Sequence, residues 1–153
     1  MDKYGEVDSV KFAIYLEKKA RERGIYVNMT KIQKLLYICY GLWLAVEQKQ
    51  LLNERPKAWN HGPVFPKVHK TQKKNGDGLE KLEGTISPED FKKYDETIDV
   101  TLKLYGKWTA NQLVDWTHKK GTAWDKKFNI LGEKYGTMDS LDILTDFEEL
   151  FPK

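Results

Sequence analysis

The chain has 153 residues, 40% of them hydrophobic, 32% charged and 12% aromatic, and 26 Lys+Arg against 23 Asp+Glu give a net charge of +3. That length suits one domain, residues 1–153, able to bury roughly two-thirds of the surface its unfolded form exposes, and the composition is globular rather than disordered. The even charge balance does not by itself define a nucleic-acid binder, and the single cysteine, Cys39, excludes an internal disulfide framework and fits a reducing compartment.

Met1–Glu6 contains no apolar stretch of the kind a signal peptide needs, so the start predicts a cytoplasmic protein. Asp8 or Ser9 can cap a first helix running to about Arg23, with Val10, Ala13, Ile14 and Glu17 at helical spacing and Gly24 as its stop. Asn28 can cap a second helix from Met29 to about Gln48. Its stripe of Met29, Ile32, Leu35, Leu36, Cys39, Trp43 and Val46 is backed by Ile38, Leu42 and Leu44, so neighbours should surround it. Leu35–Val46 is uncharged but falls well short of the roughly 20 residues that cross a bilayer, so no membrane association is expected.

Helical periodicity is lost over residues 49–62, where Leu51-Leu52 and Lys57-Ala58-Trp59 can form short extended pieces. Pro63 suits the first turn of a third helix reaching Lys74, with Pro66 still inside that turn, and Asn75–Gly78 reads as a turn. Ser87-Pro88-Glu89-Asp90 is a helix start, leading to a face of Phe91, Tyr94, Ile98, Thr101, Leu102 and Tyr105. Thr109 caps a shorter helix with Leu113, Val114 and Trp116, and Ser140 caps a last one with Ile143, Phe147, Leu150 and Phe151. The expected fold is all-α: about six helices around a central apolar helix, with a short extended segment near residues 50–60.

Catalytic patterns are missing. His61, His69 and His118 with Cys39 give no HExxH or CxxC spacing, so no metal site is expected, and Cys39 in its apolar stripe reads as core. No GxSxG elbow or glycine-rich phosphate loop occurs, so the chain is read as a non-enzyme without a cofactor. Two lysine groups, Lys67, Lys70, Lys73 and Lys74, and Lys119, Lys120, Lys126 and Lys127, are candidate phosphate contacts. An acidic tail of Asp139, Asp142, Asp146, Glu148 and Glu149 offsets them. Trp59, Trp116 and Trp124 sit at element ends, where an indole either wedges between helices or anchors a partner.

Three stretches taken together, Lys31-Ile32-Gln33-Lys34-Leu35-Leu36-Tyr37, Trp59 with Gly62-Pro63-Val64, and Thr117-His118 with Trp124, resemble the Panacea domain family of antitoxin-like and phage-associated proteins over roughly residues 10 to 130. The chain departs from that pattern at His61, where an aromatic is usual, and at Ala123, where proline is common. The resemblance implies a mostly helical antitoxin that binds a cognate toxin encoded nearby.

Trp59, His61, Gly62, Pro63, Val64, Pro66, Thr117, His118 and Trp124 are accordingly the expected partner-binding residues, an aromatic platform shaped by the Gly62-Pro63 turn. Trp124, in a Gly/Thr-led loop beside lysines, is expected to be the more exposed ring and Trp59 the more buried. The runner-up reading is a DNA-binding regulator using the helix at 67–74, and a third is a phage accessory protein that binds a host factor.

Overall fold

The computed structural model describes residues 4–151, so Met1–Lys3 of the signal-peptide reading lie outside the described residues. Helix α1, Ser9–Glu22, starts where the Asp8 carboxylate accepts from the Lys11 N–H at 2.9 Å, and it buries Phe12 through Glu17. Helix α2, Met29–Glu47, is capped by Asn28, whose side-chain oxygen accepts from the Lys31 N–H at 2.8 Å. Every residue from Lys31 to Leu42 is buried, as expected of a helix with neighbours all round, although Val46 at its far end is exposed. Gly41 permits the tightest of these approaches: a Cβ there would overlap the Phe147 ring.

Two short strands follow, β1 Lys57–Trp59 and β2 Gly62–Val64, antiparallel in the register Lys57↔Val64, Ala58↔Pro63, Trp59↔Gly62. The helix expected from Pro63 therefore begins later: α3 is Pro66–Lys74, with Phe65 at its N-cap. The physical reason lies in strand alternation. Pro63 faces Ala58, whose N–H and C=O point away from β2 to Gly136 O (2.9 Å) and Tyr135 N (2.7 Å), so the proline's missing donor costs no ladder bond. Phe65 gives α3 no side-chain cap. Instead the buried Glu54 carboxylate accepts from the Lys67 N–H at 2.9 Å and from the Ser9 hydroxyl.

Beyond the Asn75–Gly78 turn come two 3₁₀ segments, Glu80–Thr85 and Pro88–Tyr94, the second running into α4, Asp95–Tyr105. Ser87 precedes the 3₁₀ segment without a side-chain capping bond, so the predicted α-helical start is displaced to Asp95. Helix α5, Ala110–Thr117, carries a full capping box between Thr109 and Gln112. The sequence reading missed α6, Ala123–Asp125, which widens into a π turn over Lys126–Ile130. Helix α7, Ser140–Leu150, is capped by Asp139 rather than Ser140: its carboxylate accepts from Leu141 and Asp142 N–H at 2.8 and 3.1 Å.

The fold is thus predominantly helical. Helices α4, α5 and α7 and strand β2 all pack on α2. Among the described residues no helix is long and apolar enough to cross a membrane.

A joint between the central helix and the hairpin

The N-terminal turns of α2 place polar groups where an apolar helix would have none. Gln33, buried, presents its amide to the main chain of Phe65: Oε1 accepts from the N–H at 2.8 Å and Nε2 donates to the C=O at 3.3 Å. The same Nε2 reaches Gln72 Oε1 (3.2 Å), and Gln72 Nε2 donates to Met29 O (3.2 Å). These two glutamines tie α2, β2 and α3 into one satisfied buried network. One residue on, Lys34 is 1% exposed and its Nζ donates to Pro63 O at 3.0 Å. Burial of the ammonium lowers its pKa to about 7.

The hairpin is held equally from the other side. Gly62 has φ +108, and a Cβ added there would stand 2.6 Å from Thr117 Oγ1 and 2.9 Å from Lys34 Cε. Glycine is required at this position both for its backbone angle and for the close approach. The Trp124 indole Nε1–H donates to Trp59 O at 2.7 Å. Its ring lies between His118, centroids 3.8 Å apart at 9°, and Phe128, 4.7 Å at 16°.

Nearly all the expected partner-binding residues therefore meet, but with exposures that reverse one expectation. Trp124 is 5% exposed, while Trp59 is half-buried and presents its ring beside His69 (4.9 Å) and Tyr135 (5.9 Å). The Gly/Thr-led loop before Trp124 does mark a surface, but the indole turns inward from it to bond the hairpin. Gly62, Pro63, Val64 and Thr117 are buried, His118 is half-buried, and His61 is exposed at the tip of the turn. Pro66 opens α3 and stands outside the cleft lined by Trp59, His61 and Val64. Sequence reading did not single out Gln33, Lys34, Gln72 and His69 as a group. The legible signal was the interruption of an apolar helix by Gln33-Lys34.

Burial holds the pKa of both His69 and His118 below the ordinary histidine value; after burial, Lys73 is the main further cause at His69 and Lys34 at His118. Both therefore favour the neutral imidazole at neutral pH. Among the described residues no group of three or more His, Cys, Asp or Glu could hold a metal ion. Burial pushes the Cys39 thiol up to about 12, which keeps it protonated, and its Sγ donates to Thr101 Oγ1 at 3.4 Å. The lysines are partly engaged by neighbours. Lys73 pairs with Asp77 (2.9 Å), Lys126 with Asp142 (3.5 Å) and Lys127 with Glu133 (3.4 Å).

The joint is an aromatic-walled edge set in a helical fold. The chain belongs to the family described as antitoxin SocA-like, Panacea domain, whose model matches residues 32–125, from Ile32 through Trp124 of the joint. It is similar to Antitoxin SocA of Caulobacter vibrioides (strain NA1000 / CB15N), with 32% identity over 141 residues, 85% of this chain and 75% of that protein. No solved structure matches the chain.

Proposed function

We propose that this protein is an antitoxin that neutralises a cognate toxin by direct binding, without enzymatic activity, and that the two are encoded side by side in a phage or prophage. Family membership supports an antitoxin role. The observation that favours a protein partner is an exposed apolar rim beside the hairpin. Ile130 and Leu131 are 68% and 60% exposed at the end of the π turn, and Tyr135 is 51% exposed where the chain returns to the β1 edge. Clustered apolar side chains on a charged surface mark interaction sites. Trp59 and His61 continue this rim across the turn, and the buried residues of the joint act as its rigid support.

The test is co-expression. The product of the adjacent gene, expressed alone, should arrest growth, and this chain should restore it. A variant carrying Ile130→Ser, Leu131→Ser and Tyr135→Ser should melt within a few degrees of wild type yet fail to restore growth. An adjacent gene that is harmless alone would defeat the reading, and a triple variant that still protects would move the interface elsewhere.

A further inference from the structure

Beside the joint lies a cleft of about 210 Å³, walled by Met29, Trp59, His61, His69 and Tyr135 with Lys34 at its inner side. Among the described residues, no Asp or Glu lines it. An ammonium carries three donors, and among the described residues Lys34 Nζ has one acceptor, the carbonyl of Pro63. Buried lysines are normally matched by a carboxylate, because an unpaired buried charge is costly. Besides Tyr135, the titratable groups placed around Lys34 are histidines and a further lysine. His61 comes from the turn, His69 from α3 and His118 from the end of α5, and Lys73 stands behind His69. Acidic influences act on the histidines, Asp77 on His69 and Asp115 on His118. His118, which does not line the cleft, also has a buried Nε2 with no hydrogen-bond partner among the described residues.

We infer that the cleft is a carboxylate site, in which an acidic side chain of the partner protein enters between Trp59, His69 and Tyr135 and completes the coordination of Lys34. The aromatic walls accept the side chain's methylenes, and the ammonium accepts its charge in a setting where water competes poorly. The origin of the carboxylate in a toxin rests on the function proposed above. The affinity of the cleft for a carboxylate does not.

Because the pKa of Lys34 is lowered to about 7, a bound carboxylate recruits the protonated form. Apparent affinity scales with the fraction of competent protein, so it should fall about tenfold between pH 6 and pH 8. His69 and His118, held low by burial, add little to that trend.

The experiment uses the full chain and NMR titration with acetate, with acetamide as its neutral isostere and inorganic phosphate as a competing anion. Acetate should shift the Lys34 side chain and the Gly62 amide saturably, more tightly at pH 6 than at pH 8, and acetamide should not. Lys34→Met, whose side chain matches the stem in length, should abolish the shifts. Equal responses to acetate and acetamide, saturation by phosphate alone, or shifts confined to other surfaces would each overturn the inference. The comparison on wild type is decisive even if Lys34→Met fails to fold. Acetate binding together with a harmless adjacent gene would keep the site and remove the antitoxin reading; neutralisation without acetate binding would do the reverse.

Discussion

The two halves of α2 are equally buried and chemically opposite. From Leu35 to Ala45 the helix packs apolar side chains on α4, α5 and α7, with Tyr37 edge-on to Phe147 at 5.6 Å. From Lys31 to Lys34 it buries two lysines and a glutamine, and Lys34 and Gln33 bond the main chain at Pro63 and Phe65. The apolar half stabilises through area removed from water, which is non-directional and tolerates rearrangement. The polar half contributes little net energy per bond but only in one register, since each misplaced donor leaves a buried group unpaired. One half makes the domain stable, and the other fixes where the hairpin sits.

The largest effect should come from breaking the apolar half. Leu36 is wholly buried, and Leu36→Asp should cost more than about 4 kcal/mol and abolish cooperative melting by circular dichroism. Trp124→Ala removes a buried indole from the far side of the joint. It should cost about 3–5 kcal/mol, read as a large drop in melting temperature, and a melt close to wild type would show that the ring does not hold the hairpin in place.

A pH comparison sharpens the contrast. The folded-state pKa of Lys34, about 7, lies below its ordinary value of 10.5, so between those values the unfolded chain holds the extra proton and the lysine's penalty on folding shrinks as pH rises. Lys34→Met should therefore gain most over wild type at or below pH 7, by on the order of a few kcal/mol, and the difference should narrow toward pH 10 in paired denaturant titrations. A constant difference across that range would mean that Lys34 titrates normally. The smallest effect is expected from Gln33→Leu, which leaves the Phe65 main chain and Gln72 short of partners. It should cost about 1–3 kcal/mol and raise amide hydrogen exchange at Phe65 before it changes exchange in α4.

Much of this was legible beforehand. Asp8, Asn28 and Thr109 were readable as caps because a capping bond is local, spanning three residues. The motif set likewise pointed to the family. The failures have a common physical source in long-range bonds. Pro63 satisfies the local rule for a helix start, yet its strand conformation depends on Ala58 and, through its carbonyl, on Lys34. Trp124 sits in a stretch with surface composition, and its burial is decided by a carbonyl 65 residues away. Gln33 and Lys34 look like interruptions of an apolar helix until the hairpin that needs them is in place.

The glutamine that grips Phe65 has one more consequence. A two-stranded hairpin ordinarily offers two open edges, each a template on which another chain can add a strand. Here Gln33 engages the main-chain N–H and C=O of Phe65, just past the end of β2, and Tyr135 and Gly136 occupy the outward groups of Ala58 on β1. Lys34 takes the outward carbonyl of Pro63 at the middle of β2, so both flanks are closed by the protein's own groups. Strand addition at these positions is thereby blocked, and what the turn presents outward is side chains. Side chains are what substitution alters most readily, so the outward face of this hairpin can change while its backbone stays fixed.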